Sequence, residues 1–261
     1  MAEQSEFGRG WMSHDGVEFM RRLFTGLLST LTHMEVHGLE NLPEGGMLIC
    51  PNHLSVVDPP LVFVTLPDRK QTVLVAHKHK YHPLFRPIVT MVDHIWVHRG
   101  ATSPSTIKAA VRQLQAGSIV GVAPEGTRSR THALGPGKTG AIFLAYASGV
   151  PLVPTAIAGT EKVIPGLLRL RRSKMSITYG KPIQFGEPGR RTRPTPQQLE
   201  DGATEVMCHI AAMLPPEYRG LYANHPRTLE LLGASDGPIL PGPPSRPGKG
   251  GEKSAQPMGL G

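Results

Sequence analysis

The amino-acid sequence predicts an α/β fold in which a central, mostly parallel or mixed sheet is flanked by helices and preceded by an N-terminal amphipathic helix. Short apolar runs bounded by glycine or proline alternate with helical stretches from about residue 34 to residue 222, which is typical of strands joined by helices. Apolar residues recur at helical spacing just before this region. The chain of 261 residues is also long enough to bury a core without disulfides.

The amphipathic helix is predicted over residues 17–31, with Arg21 and Arg22 at the edge of its apolar face. Its apolar positions are Phe19, Met20, Leu23, Phe24, Leu27, Leu28 and Leu31. A basic amphipathic helix can lie on a bilayer surface, or its apolar face can pack on the domain, and both can hold for different halves. No apolar run approaches 18 residues and no secretory signal pattern is visible, so we expect no membrane-spanning helix.

The elements of the core follow from local signals. Ser103 and Thr195 each precede a proline and are expected to begin helices, because a hydroxyl caps a first turn and proline fits its first position. The predicted strands are 47–50, 72–76, 95–97, 118–123, 152–158 and 174–179. The predicted helices are 60–65, 104–115, 140–148 and 196–214.

Three segments are expected along the chain. Residues 1–33 form an N-terminal arm with the amphipathic helix, and residues 34–222 form the main domain. Residues 223–261 form a C-terminal extension that we expect to be disordered from about residue 233, because its last 29 residues contain eight glycines and six prolines.

The charge and the cysteine and histidine content indicate which partners and which kinds of metal or disulfide site to expect. The net charge of +8 implies an anionic partner, either nucleic acid, an anionic bilayer, or a phosphorylated or CoA-type substrate. The two cysteines, Cys50 and Cys208, exclude a disulfide framework and a cysteine-rich zinc site. His77, His79 and His82 alternate with lysines, a pattern that fits a basic rim better than a metal site. We therefore expect no metal.

The first candidate for chemistry is the segment from Asn52 to Asp58, which lies between a buried strand and a helix. His53 and Asp58 are five residues apart, about 140° around a regular helix, so they meet only if the backbone turns between them. If they meet, the carboxylate fixes the imidazole tautomer and the other ring nitrogen can accept a proton from a hydroxyl. Spacing alone leaves a structural His–Asp turn open as the alternative.

Two further loops carry arginines at strand ends. The segment from Pro124 to Arg130 follows the predicted strand 118–123, where α/β proteins place ligands. In it, Gly126 lets a ligand approach the backbone, and Arg128 offers a planar fork for phosphate oxygens. The strand 95–97 is followed by Arg99. A solvated turn and a surface ion pair are the alternatives for these two sites.

Together these segments resemble the glycerolipid acyltransferases of the 1-acylglycerol-3-phosphate acyltransferase type. The first block of that family, Asn-His-x-x-x-x-Asp, stands at 52–58, and the apolar strand with arginine stands at 95–99. Pro-Glu-Gly-Thr-Arg-Ser stands at 124–129, and Val-Pro-x-x-Pro at 150–154. Asp93-His94 departs from the pattern, because the family often has glycine before its second-block strand. The resemblance covers about residues 36–222.

The resemblance implies a glycerol-3-phosphate acyltransferase-like fold and transfer of a fatty acyl group from acyl-CoA or acyl-ACP to the sn-2 hydroxyl of 1-acylglycerol 3-phosphate, giving phosphatidate. It implies His53 as general base oriented by Asp58. The substrate-binding residues would be Arg99, Glu125, Gly126, Thr127 and Arg128.

The same resemblance sets the expected partners. These are the thioester donor, lysophosphatidate or a related lipid acceptor, and an anionic membrane surface on the cytoplasmic face, without nucleic acid. No cofactor is expected. The alternatives are the same chemistry on glycerol 3-phosphate, a lysophospholipid or a glycolipid, or a non-catalytic module that binds anionic lipid or nucleic acid.

Overall fold

The computed structural model describes residues 7–77, 80–81, 86, 89–90, 92–97 and 103–234. Its strands are β1 (Phe7–Gly8), β2 (Thr32–His37), β3 (Met47–Pro51), β4 (Gln71–Ala76), β5 (Asp93–Val97), β6 (Ile119–Gly121), β7 (Leu152–Ala158) and β8 (Ser173–Tyr179). The helices in the described ranges are α1 (His14–Leu31), α2 (Asp58–Thr65), α3 (Pro104–Gln115), α4 (Gly140–Ser148), α5 (Val163–Leu167), α6 (Pro196–Met213) and α7 (Pro226–Gly233).

The described strands form one mixed sheet in the order β1-β5-β4-β6-β3-β7-β8-β2. The five central strands, from β5 to β7, run parallel to one another. At the edges, β1 is antiparallel to β5 and β8 is antiparallel to β7, while β2 is parallel to β8. The expected mostly parallel or mixed sheet flanked by helices is confirmed.

Successive side chains of the central strands point to opposite faces of the sheet, so the core lies in two layers. Leu48 and Cys50 of β3 face a cluster that includes residues of α3, α4 and α6. Met47 and Ile49 face the opposite side, where Leu61 of α2 and residues of α1 and α5 pack. Successive side chains of a strand point to opposite faces, so a wholly apolar strand such as β3 is expected where helices cover both faces of a parallel sheet.

Local signals placed several helix ends correctly. The Ser103 hydroxyl accepts from the Thr106 amide at 3.2 Å at the start of α3. Thr195 and Gln198 form a reciprocal capping box at the start of α6. The chain leaves α4 through Gly149 at φ 71°, a left-handed conformation that glycine adopts without a steric penalty.

Helix α1 is both packed and exposed, as the pattern allowed. Leu28 is buried in the core, and the buried Arg21 donates to the carbonyl oxygens of Phe63 and Leu66 at the end of α2. Phe19, Leu23 and Leu27, spaced four residues apart, are exposed and lie along one side of the helix. No helix in the described part of the chain has the length and apolar character needed to cross a membrane.

Five features differ from the sequence prediction. Strands β1 and β2 and helices α5 and α7 were not predicted, and β6 ends at Gly121 rather than residue 123. The expected boundary at residue 33 therefore falls inside β2, which pairs with β8 over six residues. Helix α7 lies in the expected C-terminal extension and packs on α6, where the Arg227 guanidinium contacts Glu205. The expected disorder beyond residue 234 lies outside the described residues.

Candidate active site

The candidate site lies where the three adjacent parallel strands β6, β3 and β7 end. The loop with His53 follows β3, and the loop with Glu125 follows β6. Thr160 follows β7. Parallel neighbours bring their carboxyl ends to the same edge of a sheet, so three segments far apart in sequence meet there.

His53 and Asp58 meet across the bend after β3. The His53 Nδ1 atom lies 2.6 Å from Asp58 Oδ2. The Asp58 side chain is 4% exposed, whereas that of His53 is 30% exposed. Because the carboxylate accepts from Nδ1, the neutral ring carries its proton there and Nε2 remains able to accept one. Within the described residues, no hydrogen bond engages His53 Nε2.

Asp58 also builds the bend that brings the pair together. Its Oδ2 atom accepts from the amides of Leu54 and Ser55 at 2.6 and 2.8 Å. Its Oδ1 atom accepts from the Thr160 hydroxyl at 2.5 Å. A buried carboxylate is tolerated when donors satisfy its oxygens. Backbone amides, a hydroxyl and the imidazole together supply these donors, so one carboxylate holds both the loop and the ring.

Thr160 is a site residue that the sequence analysis missed. It is fully buried, at the start of the turn after β7. It lies 102 positions from Asp58 in sequence and in no motif of the first or third block. The sequence feature that could have pointed to Thr160 is its position just after the strand predicted over 152–158. Strand ends at one sheet edge are candidate site positions.

Two more contacts fix the histidine loop to its neighbours. The Asn52 side chain both donates to the Ile157 carbonyl at 2.9 Å and accepts from the Ile157 amide at 2.7 Å, across β3 and β7. The Ser129 amide donates to the His53 carbonyl at 2.8 Å. The first and third motif blocks are therefore in direct contact.

The loop after β6 combines a buried carboxyl with exposed donors. Glu125 is buried and accepts from the Gly135 amide at 2.9 Å. Gly126 adopts φ 65°, and an added Cβ would lie 3.0 Å from Lys138 Nζ. Thr127 and Arg128 are exposed. Among the described residues, no carboxylate lies within 4.0 Å of the Arg128 guanidinium.

Burial raises the pKa of the Glu125 carboxyl above its ordinary value. The hydrogen bond from Gly135 and the proximity of the His53 backbone and ring lower that pKa in part. A buried acid near a candidate base is typical of functional sites. Glu125 lies beside the His53 loop and faces inward rather than toward a ligand in solvent.

The departure at Asp93-His94 has a structural role. Asp93 accepts from the Gly10 amide and contacts Lys70 Nζ, both at 2.9 Å. His94 is buried, and a Cβ added to Gly8 would lie 2.3 Å from its Nε2 atom. These residues hold β1 at the edge of the sheet, so they attach the N-terminal arm.

Some residues that the sequence singled out lie outside the described ranges. Arg99 lies outside the described residues, as do His79 and His82. In the part of the chain that the structure describes, no group of three or more His, Cys, Asp or Glu side chains is arranged to hold a metal.

Replacing Glu125 by glutamine is expected to stabilise the protein increasingly as the pH rises. Burial raises the pKa of this acid in the folded state, so the ionised form disfavours folding, and this penalty is absent below the pKa of the unfolded chain. We expect the gain to reach its full size above the folded-state pKa. Urea denaturation between acid and neutral pH measures it.

The matched control is Glu200→Gln, an exposed glutamate on α6. It should show no such pH-dependent difference from the parent. Parallel stability curves for the parent and the Glu125→Gln variant across this pH range would contradict the assignment of a raised pKa.

Comparison with known proteins finds a matching family model and several similar acyltransferases. The family model described as Acyltransferase matches residues 33–158. Three similar proteins carry the name 1-acyl-sn-glycerol-3-phosphate acyltransferase. They are those of Cocos nucifera (32% identical, 57% of this chain and 49% of that one), Salmonella typhimurium (29%, 61% and 58%) and Bacillus subtilis (28%, 60% and 77%). The match thus spans only about half of the coconut and Salmonella proteins.

A solved structure supports the fold. The crystal structure of the 1-acyl-sn-glycerophosphate (LPA) acyltransferase, PlsC, from Thermotoga maritima has a TM-score of 0.56 with this chain. It is 21% identical, and the superposition covers 73% of this chain and 76% of that one. The family-model match over residues 33–158 and the named relatives make this part of the chain similar to the 1-acyl-sn-glycerol-3-phosphate acyltransferases.

Proposed function

We propose that this protein transfers a fatty acyl group from acyl-CoA or acyl-ACP to the sn-2 hydroxyl of 1-acylglycerol 3-phosphate, giving phosphatidate. The observation that carries the proposal is the 2.6 Å contact between His53 Nδ1 and the buried Asp58 carboxylate. The names of the similar proteins from Cocos nucifera, Salmonella typhimurium and Bacillus subtilis support the acceptor.

The proposed reaction needs a base rather than a covalent enzyme intermediate. A glycerol hydroxyl is a weak nucleophile at neutral pH, whereas a thioester is reactive and releases a thiolate readily. His53 Nε2 accepts the proton of the hydroxyl as its oxygen attacks the thioester carbonyl. The tetrahedral intermediate then collapses, the C–S bond breaks, and the imidazolium returns the proton to the departing sulfur. Asp58 holds the ring and stabilises its protonated form.

Backbone amides of the third block are the candidate donors to the oxyanion. The Gly126 amide already donates to the Ala123 carbonyl, and the amides of Leu54 and Ser55 donate to Asp58. Within the described residues, the amides of Thr127 and Arg128 have no partner. We therefore assign oxyanion stabilisation to the Thr127–Arg128 segment rather than to Gly126 or the histidine loop.

The exposed Arg128 side chain is the proposed ligand for the acceptor phosphate. Its guanidinium can form two parallel hydrogen bonds to phosphate oxygens. Lys138 lies beside Gly126 and adds a second cation to the same rim. Arg99 is proposed for the same role, on the motif alone. Glu125 and Gly126 are proposed to shape the loop that presents these groups.

Peripheral association with an anionic membrane surface on the cytoplasmic face is part of the proposal. The lipid acceptor resides in a bilayer. The exposed apolar side chains Phe19, Leu23 and Leu27 of α1 offer a surface for membrane contact, and the net charge of +8 favours anionic lipids.

His53→Ala is expected to lower turnover by about 10²–10⁴-fold, the usual contribution of a general base. Release of free thiol from acyl-CoA, with and without lysophosphatidate, measures it. His33→Ala, which removes an exposed histidine on β2, should leave turnover unchanged. Near-parental activity of His53→Ala would reject the role.

The same assay separates the alternatives. The parent should release thiol faster with lysophosphatidate than with glycerol 3-phosphate, a lysophospholipid or a glycolipid. Faster thiol release with one of those three would identify that compound, rather than lysophosphatidate, as the acceptor. No thiol release with any acceptor would favour a non-catalytic binding module.

Thr160→Val is expected to lower kcat about tenfold while leaving the acceptor KM near its parental value, because it removes a buried hydrogen bond from Asp58. Thr160→Ser keeps the hydroxyl and should restore most of kcat. If Thr160→Ser were as impaired as Thr160→Val, the methyl group rather than the hydroxyl would matter, and positioning through Asp58 would be wrong.

Arg128→Lys is expected to raise the acceptor KM about tenfold with little change in the donor KM, because lysine keeps the charge and loses the planar fork. Steady-state kinetics with varied lysophosphatidate measures this. Arg112→Lys, at an exposed position on α3, serves as the control. An unchanged acceptor KM would exclude phosphate contact at Arg128.

A further inference from the structure

Residues 163–174 form a surface loop that the catalytic proposal does not use, named here the basic finger. It comprises α5, the turn that follows it and the first two residues of β8. Its sequence, Val-Ile-Pro-Gly-Leu-Leu-Arg-Leu-Arg-Arg-Ser-Lys, contains four cationic residues and no acidic residue. The base packs on the core through Val163 and Leu167.

The tip of the basic finger presents two leucines to solvent. Leu168 is 83% exposed and Leu170 is 98% exposed. Leu170 also adopts φ 51°, a left-handed conformation that disfavours residues with a Cβ atom. Glycine or asparagine would suit this turn better. A leucine that gains neither burial nor a favourable conformation within its own chain points to a partner outside it.

The cations of the finger flank these leucines. Arg169, Arg171 and Lys174 are exposed. Within the described ranges, no carboxylate lies within 4.0 Å of any of the three. Apolar side chains alternating with unpaired cations match the interface of an anionic bilayer, where leucines enter the acyl region and guanidiniums meet lipid phosphates.

The finger is held in a fixed position by its base. The Ser173 hydroxyl donates to the Lys162 carbonyl at 2.8 Å and closes the loop. The amides of Arg169 and Arg171 both donate to the Gly166 carbonyl at 2.9 Å. The Arg172 guanidinium donates to the carbonyls of Ser29 and Thr32 at 2.6 and 2.7 Å, which joins the finger to the end of α1.

The finger begins next to the candidate active site. Thr160, which donates to Asp58, lies three residues before Val163. Only the short turn Thr160–Lys162 separates the two. Contact of the finger with a bilayer would therefore set the distance and tilt of the His53–Asp58 pair relative to the lipid surface.

We propose that the basic finger is an anionic-bilayer docking element that orients the active site toward lipid, acting separately from the apolar side of α1. The inference rests on the proposed function for its purpose, but the docking itself does not require turnover. A membrane is favoured over an acidic protein because Leu168 and Leu170, 83% and 98% exposed, are enclosed by no groove of the described residues.

Vesicle co-sedimentation of the full chain, without substrates, tests the docking. Vesicles of phosphatidylcholine alone are compared with vesicles that also contain phosphatidylglycerol. Each cation near an anionic surface strengthens binding about fivefold. Arg169→Gln with Arg171→Gln should therefore weaken binding to the anionic vesicles by more than about tenfold. Leu168→Ser with Leu170→Asn should weaken it by a similar factor.

Matched controls use exposed residues elsewhere. Arg191→Gln with Arg193→Gln removes two exposed arginines, and Leu221→Ser removes an exposed leucine. These controls should bind anionic vesicles like the parent, and all variants should keep the parental melting temperature. Equal losses in finger and control variants, unchanged binding of the finger variants, or a parent that binds no vesicles would each overturn the proposal.

A label at the tip locates the contact directly. An environment-sensitive fluorophore on Leu170→Cys should shift to the blue with anionic vesicles, whereas the same label on Leu221→Cys should not. The native thiols of Cys50 and Cys208 are buried, so labelling favours the introduced cysteine. A shift with acidic acyl carrier protein but not with vesicles would overturn the proposal in favour of a protein partner.

Turnover assays distinguish an error in the docking role of the basic finger from an error in the proposed acyl transfer. With a short-chain acceptor in monomeric solution, the finger variants should turn over like the parent, while with vesicle-bound lysophosphatidate they should be slower. Vesicle binding without any thiol release would reject the enzymatic proposal and leave the docking intact. Full turnover on vesicles by non-binding variants would overturn the orienting role.

Discussion

The structure of the site depends on one buried carboxylate. Asp58 accepts from two backbone amides of its own loop, from the ring of His53 and from the hydroxyl of Thr160. The hydrogen bonds from the two backbone amides create the bend that lets His53 and Asp58, five residues apart, meet. The hydrogen bond from the imidazole selects the tautomer that leaves Nε2 free. The carboxylate that shapes the loop therefore also orients the ring of the proposed base, because the same oxygen atom accepts from the loop amides and from His53.

The order of the strands in the sheet places the three loops of the site next to one another. Strands β6, β3 and β7 are adjacent and parallel, so the loops that follow them lie side by side. Asn52 bonds to both backbone groups of Ile157, and Ser129 donates to the His53 carbonyl. These contacts join the three loops into one rigid edge, while Arg128 and the basic finger remain on the solvent side. A site held by these hydrogen bonds beside exposed cationic residues would suit the lipid acceptor of the proposed function.

Several elements were predictable because their signals are local. Ser103 and Thr195 begin α3 and α6 through their own hydroxyls, and the apolar residues of β7 lie between clear turns. Strands β1 and β2 were missed because pairing with distant partners holds them. The two residues of β1 depend on β5 through Asp93 and His94, and β2 carries polar residues that are tolerated beside β8 at the sheet edge. Helix α7 was missed because its support is the Arg227–Glu205 contact with α6.

The sequence alone determined the class of fold, the order of most central elements and the motif residues His53, Asp58, Glu125 and Arg128, because capping, alternation and motif spacing act over a few residues. Only the tertiary structure decided that the imidazole and carboxylate touch, that Thr160 completes the carboxylate's shell, and that Glu125 faces inward. These contacts join residues separated by up to 102 positions, and the register and order of parallel strands, which no local pattern encodes, bring them together.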